Sequence, residues 1–271
     1  MLINSARVIY FSPTGTTKTV VSAIAQGTGI KKVNYTDITL PSARKVNLIT
    51  VKEDLLIIGI PVYEEKVPKI LTETLKSLSG EGKPAVIVTV YGNIADGTAL
   101  SELKAIVKNA GFVPVAAASF IGEHSFSTKE VPVAAGRPNL CDEHNARQFG
   151  QMIINKLNSA EDISKIEAVV PDGKLQLMAK VLPENSAKMF TEKPDIDKNL
   201  CTGCGLCSKL CPVGAIDINT LEIDDSKCLR CFSCVRACDA QARKITYKKK
   251  LLVKNVLGAK SKKDNEVKLY L

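Results

Sequence analysis

The stretch RVIYFSPTGTTK, Arg7 to Lys18, decides the fold of the first half of this 271-residue chain. Arg7–Phe11 is a short, β-branched apolar run and reads as a strand. Thr16–Gln26 carries a helical pattern. In the loop and at the helix start, Ser12, Thr14, Thr16 and Thr17 offer hydroxyls. Gly15 lets the backbone approach a ligand closely, and the helix start adds N–H groups and partial positive charge. Together these groups suit a phosphate. The frame G-x-x-x-x-G-K-[ST] is absent, so this is not the Walker type of phosphate loop. A plain helix cap made by Ser or Thr is the alternative. Four hydroxyls and a glycine within six residues exceed what one cap needs.

Outward from this stretch the same alternation continues. Lys32–Ile38, Asp54–Val62, Pro84–Tyr91 and Phe112–Phe120 read as further strands. Helical patterns fall at Val67–Leu78, Ala99–Ala110 and Asp142–Leu157. Strands alternating with helices imply a parallel sheet covered on both faces. Ligands then bind beyond the C-terminal ends of the strands. Two more loops lie there. One, Gly59 to Pro68, contains Pro61, Val62 and Tyr63. The other, Tyr91 to Asp96, contains Gly92, which allows close backbone approach, and Asn93, which both donates and accepts.

SPTGTTK after the first strand resembles the FMN-phosphate loop of the flavodoxin family, S/T-x-T-G-x-T. The resemblance covers residues 1 to about 158. It implies an α/β fold with a doubly wound, five-stranded parallel sheet in the order 2-1-3-4-5. It also implies FMN as cofactor. Ser12, Thr14, Gly15, Thr16 and Thr17 would hold the phosphate. Pro61, Val62 and Tyr63 would flank one face of the ring, and Tyr91, Gly92, Asn93 and Asp96 the other. Tyr63 is the aromatic available to stack, unless it only closes a surface loop. Tyr91 is either a second stacking partner or a strand-end core residue. Glu64 and Glu65 would disfavour an anionic reduced flavin, because like charges repel. A long segment, Ile121 to Cys141, departs from a short flavodoxin, and such loops are often functional. Its His124 and Arg137 would line the flavin edge, contact the second domain, or simply pack the loop.

Eight of the nine cysteines form two copies of C-x2-C-x2-C-x3-C. The first is Cys201, Cys204, Cys207 and Cys211; the second is Cys228, Cys231, Cys234 and Cys238. This is the bacterial iron–sulfur run, in which the fourth cysteine serves the other cluster. Cys201, Cys204, Cys207 and Cys238 are therefore assigned to one 4Fe–4S cluster. Cys228, Cys231, Cys234 and Cys211 are assigned to the other. Structural zinc prefers paired C-x2-C ligands, and disulfides do not suit a chain read as lacking a secretory signal. Residues 195–247 resemble the clostridial-type two-cluster ferredoxins, and Pro212 after the first run matches them. Asp239 stands where the second run usually has proline, which bears on the turn but not on the ligation. Seven acidic and seven basic residues balance in this segment, whereas such ferredoxins tend to be acidic. The whole combination resembles the fused flavodoxin–ferredoxin proteins of anaerobes.

The net charge is +9, and the segment 248–271 holds eight lysines against Asp264 and Glu266. A charge run of this kind reads as a solvated, mobile tail. No nucleic-acid motif accompanies it. No apolar run approaches the ~18 residues that a membrane span needs. The N-terminus runs directly into a strand pattern, so the expected location is a reducing cytoplasm. Residues 159–194 read as a linker with short helical pieces at Glu161–Ala168 and Leu175–Leu182. The linker packs on its own chain or reaches a second protomer, and a homodimer is one form the latter takes. His144 reads as solvated and Cys141 as a buried thiol.

These readings give a flavodoxin-like domain (1–158), a linker (159–194), a small α+β ferredoxin domain (195–247) and a basic tail (248–271). The expected function is electron transfer between two 4Fe–4S clusters and FMN, with redox proteins as partners. Two rivals are a ferredoxin-dependent reductase acting on a small substrate at the flavin, and a flavin-free interaction module fused to a ferredoxin. No nucleophile–base constellation appears, so no catalytic residue is assigned.

Overall fold

The computed structural model describes residues 2–45, 49–181, 183–261 and 265–271. The first part runs β1 (Ser5–Tyr10), α1 (Thr16–Gly27), β2 (Lys32–Asp37), β3 (Ile49–Thr50), β4 (Leu55–Pro61), α2 (Thr72–Lys76) and β5 (Leu78–Ser79). It continues through β6 (Pro84–Tyr91), α3 (Ala99–Asn109), β7 (Val113–Ile121) and α4 (Leu140–Ser159). Short helices α5 (Leu177–Val181), α6 (Ala187–Phe190), α7 (Leu206–Lys209) and α8 (Ser233–Arg236) follow. The chain ends with α9 (Lys250–Ser261) and β8 (Lys268–Tyr270).

The main sheet has the order β2-β1-β4-β6-β7-β8. Its first five strands are parallel and, counted alone, run 2-1-3-4-5. That is the flavodoxin-like order. The central strands explain it: every residue of β6 is buried, as are all but the last of β4. Strands buried on both faces need helices on both sides. One side is covered by α1 and α4, where Val20, Ile24, Phe149 and Ile153 meet Val8, Val86 and Val88. The other is covered by α2 and α3, where Leu75, Leu103 and Val107 meet Ile58 and Ile87. The α1–α4 crossing is so close that a Cβ at Gly150 would lie 2.2 Å from the Ile24 carbonyl oxygen.

Several expectations change, and the helix expected over Val67–Leu78 is a 3-10 turn at Lys69–Leu71 followed by α2 alone. The sheet has a sixth strand, because β8 pairs antiparallel with β7 through Ala117–Tyr270 and Ser119–Lys268. The basic tail is therefore not a solvated end. Val253 and Leu257, four residues apart on α9, bury one face of that helix among Phe126, Val133 and Phe232. The expected linker helix Glu161–Ala168 is only a 3-10 turn at Ile163–Lys165. Finally, Cys141 is exposed rather than buried, one residue into α4.

The linker packs on its own chain. Ser101 Oγ donates to the Asp172 carbonyl (2.7 Å), Lys104 Nζ to that of Ala168 (2.8 Å), and the Gln176 N–H to Glu65 Oε2 (2.7 Å). The cysteine-rich segment then sits on the C-terminal edge of the sheet before the chain returns as α9 and β8. Ser233 Oγ donates to the Pro13 carbonyl (2.6 Å), and Arg44 Nη2 to that of Pro212 (2.5 Å). Tyr247 donates its hydroxyl to the Phe126 carbonyl (2.6 Å).

Candidate functional site

The loop between β1 and α1 is built as a cradle. Gly15 caps α1 at φ +88° with no side-chain cap bond, and a Cβ there would meet open space. A residue with a side chain would be strained at that φ. The Ser12 hydroxyl accepts from the Lys18 N–H (3.0 Å), so part of the simple capping reading holds. Thr17 Oγ1, however, is buried with no hydrogen-bond partner among the described residues. A buried hydroxyl without a partner is costly, and its presence at a helix start fits an anionic ligand. Thr14 is half-buried, and Thr16 lies against Gly122 in the loop after β7.

At the same edge of the sheet opens a cavity of about 850 Å³, which no cradle residue lines. Val62 and Tyr63 from the loop after β4, Gly92 from the loop after β6, and His124 and Phe126 from the loop after β7 line it. Its other walls come from α6, α9 and the second cysteine run, through Ala187, Val253, Arg230 and Cys231. The Tyr63 ring meets Phe11 edge to face, with centroids 6.5 Å apart. Burial raises the Tyr63 pKa well above its ordinary value, with a smaller push from Cys231. Tyr63 thus stands between the cradle and the second cysteine run. Burial lowers the His124 pKa to about 4. Its Nδ1 accepts from the Phe126 N–H (3.0 Å), which places the proton of the neutral ring on Nε2.

The remaining ring-loop residues go elsewhere. Pro61 ends β4 opposite Val90. Tyr91 is strand-end core, and with Asp96 it lines a separate cavity of about 310 Å³. Burial pushes its pKa up to about 12. Asn93 accepts from Asn265 Nδ2 at both its carbonyl (3.1 Å) and Oδ1 (3.0 Å). Asp96 pairs with Lys268 at 2.8 Å. The C-terminal return therefore covers this loop. Arg137 holds the start of α4 by donating Nε to Asp142 Oδ2 (2.8 Å), so it packs the loop. His144 is exposed, as expected.

Glu64 and Glu65 line the cavity, but their carboxylates hold the linker: Glu64 accepts from the Ser186 N–H and Glu65 from that of Gln176. Sequence reasoning also missed Phe126, Phe232 and Arg230. Phe126 meets Phe232 edge to face at 5.8 Å, joining the long loop after β7 to the second cysteine run.

Cys211, Cys228, Cys231 and Cys234 neighbour one another, with Cys207 packed against them. Burial pushes the Cys231 thiol up; a backbone N–H from Ser233 opposes, and the charges of Cys234, Cys211 and Cys228 add to the rise. Burial likewise raises Cys234 to about 12, against the pull of Arg243. Cys211 from the first run therefore neighbours the three leading cysteines of the second. Its Sγ accepts from the Ala215 N–H at 3.2 Å. Cys204 is exposed, and backbone and Thr202 hydrogen bonds lower its pKa against a push from Asp239, beside Cys238. Among the described residues no three side chains draw together tightly enough to hold one metal ion. The corners of a four-iron cubane lie farther apart than the ligands of a single ion.

Residues 193–239 match the family described as 4Fe-4S dicluster domain. An uncharacterized protein of Methanocaldococcus jannaschii is 46% identical over 52 residues, which is 19% of this chain and 20% of that one. The chain thus spans about a fifth of that relative's length. Among solved structures, a flavodoxin from the domain Archaea is 20% identical, covering 57% of this chain and 99% of its own, with a TM-score of 0.40. A Fusobacterium nucleatum flavodoxin bound to flavin mononucleotide is 17% identical, covering 58% of this chain and 98% of its own, with a TM-score of 0.39. At these scores the strand order, not the overlay, defines the fold. The chain joins a flavodoxin-like α/β domain to an iron–sulfur segment of the four-iron type, whose chemistry is electron transfer. No helix among the described residues is long and apolar enough to cross a membrane.

Proposed function

We propose that this protein relays low-potential electrons between two 4Fe–4S clusters and an FMN held at the C-terminal edge of its sheet. The single observation that carries the reading is Cys231, which lines the same cavity as Tyr63 and Gly92. A cluster ligand and the residues expected around a flavin ring share one wall. The residues fit the cofactor. The cradle at Gly15 and Thr17 suits its phosphate, and the cavity between Tyr63 and His124 suits its ring. When bound, FMN stores one or two electrons, which links one-electron carriers to two-electron chemistry.

The crossed ligation extends the same reading. Cys228, Cys231, Cys234 and Cys211 hold the cluster beside the flavin, and Cys201, Cys204, Cys207 and Cys238 hold the outer one. Two buried guanidinium groups, Arg230 and Arg243, adjoin the inner set, whereas the outer set has exposed Cys204 with Asp239 beside it. Positive charge favours a reduced cluster, so the inner cluster takes the higher potential. Electrons then enter at the outer cluster from a redox protein. Leu200, Leu206 and Leu210, in and beside the first run, leave apolar side chains exposed for such a partner. The expected setting is the cytoplasm of an anaerobe.

A second reading has one observation in its favour. Ala179, Leu252 and Val256 extend apolar walls beyond the expected flavin loops, which suits a small organic substrate. Turnover of such a substrate by the reduced protein would support a reductase.

The test is cofactor analysis of anaerobically purified protein. The expected result is one FMN and about eight irons per chain, as two four-iron clusters require. Iron without flavin would leave a ferredoxin fused to an empty α/β module.

A further inference from the structure

The two cysteine runs are copies, yet they differ where the second meets the cavity. Gly203 of the first run, at φ +72°, corresponds to Arg230 of the second, at φ +57°. A left-handed backbone strains any residue with a side chain, so an arginine there needs a compensating use. Arg230 is 3% exposed and lines the cavity with Tyr63 and Cys231. Its Nη2 pairs with Asp225 Oδ1 at 2.5 Å. Its guanidinium also faces the Cys228 sulfur, and its Nε and Nη1 are buried with no oxygen or nitrogen acceptor among the described residues. A buried guanidinium with two such donors is costly unless a ligand supplies acceptors.

Of the other charged groups at the cavity, Lys66 is exposed to solvent and the rest are engaged. Glu64 and Glu65 hold the linker backbone, and Lys69 pairs with Glu184 at 2.9 Å. Arg230 is the charged group there whose donors are left over and buried.

We propose that Arg230, supplied by the ferredoxin segment, is a binding residue for the FMN ring system in the flavodoxin cavity. This rests on the FMN reading above. Taking up two electrons and one proton at neutral pH leaves FMN with one more negative charge than its oxidised form. The guanidinium therefore binds the reduced form more tightly than the oxidised form, so docking of the iron–sulfur segment completes the flavin site and sets its potential.

The test measures FMN affinity in both redox states, using the full chain with its clusters reconstituted. The variants are Arg230→Gln and Arg230→Lys. Charge-assisted hydrogen bonds of this type correspond to about a tenfold effect or more. Arg230→Gln is expected to weaken reduced FMN by about tenfold more than oxidised FMN, while Arg230→Lys keeps part of the preference. If Arg230→Gln loses iron, Arg230→Gly replaces it, because glycine suits that φ, and the same change in the ratio is expected. An unchanged ratio with normal FMN binding overturns this proposal and leaves the FMN reading standing. A shift confined to the inner cluster's potential also overturns it, since the guanidinium would then serve the cluster alone. Wild-type protein that binds no FMN in either state overturns both.

Discussion

The first cysteine run and the second share one ligand spacing and one backbone path, but they face different surroundings. In the first, Gly203 and Gly205 occupy the left-handed positions, at φ +72° and +70°. In the second, Arg230 and Phe232 do so, both at φ +57°. A left-handed residue with a side chain costs about 1–2 kcal/mol. Burying a phenylalanine side chain contributes about 1.5–3 kcal/mol. Phe232 is 1% exposed against Phe126, Val253 and Leu257, so burial outweighs the strain. In the outer run a Cβ at Gly203 would meet open space, whereas Gly205 is buried and a Cβ there would lie 3.2 Å from the Ile218 side chain, so no large side chain fits. The difference shows which copy docks and which copy faces solvent.

The largest expected effect tests whether the two runs share their ligands. Cys238→Ala lies in the second run, yet it should abolish the outer cluster and lower bound iron by about half. Electron-resonance spectra should show the inner cluster intact. If the inner cluster alone is disturbed, each run serves its own cluster.

Next comes the docking residue. Phe232→Ala should destabilise the protein by about 3–5 kcal/mol, the usual range for truncating a buried phenylalanine. It should also slow flavin reduction by the clusters. A thermal unfolding curve unchanged from wild type would show that the ring is not part of the interface. The matching substitution in the outer run, Gly205→Ala, should cost about 1–2 kcal/mol from left-handed strain, with the end of the Ile218 side chain giving way to the new Cβ. Flavin reduction should then keep its rate, and a rate loss equal to that of Phe232→Ala would erase the distinction between the runs. The smallest effect is expected at Glu64→Ala, which removes the acceptor for the Ser186 N–H and should cost about 0.5–1.5 kcal/mol. Its signature should be faster proteolysis of the linker, and unchanged cleavage would mean that the tether holds little.

Much of this was legible before the structure. The central strands of the first half show themselves because each is a short buried run, Leu55–Pro61 most plainly, and the long helices because one face of each is apolar. The cysteine spacing is equally direct. The tail was not legible, because its lysines hide the buried pair Val253 and Leu257, and β8 is only three residues long. Nor was the fate of Asn93 and Asp96, since their partners Asn265 and Lys268 lie 172 residues away. Arg230 and Phe232 did leave a signal. Superposing C-T-G-C-G on C-L-R-C-F sets them against Gly203 and Gly205, where only a left-handed backbone explains both glycines.

The central claim is that the docked run delivers electrons to the flavin of its own chain. Fusion has value if it gives the clusters a high effective concentration at the flavin. Rapid mixing of the intact, FMN-loaded protein with a reductant for the clusters tests this directly. FMN reduction is expected to follow cluster reduction in a first-order step, at a rate independent of protein concentration. A rate proportional to protein concentration would contradict it, and the two halves would then be independent carriers on one chain.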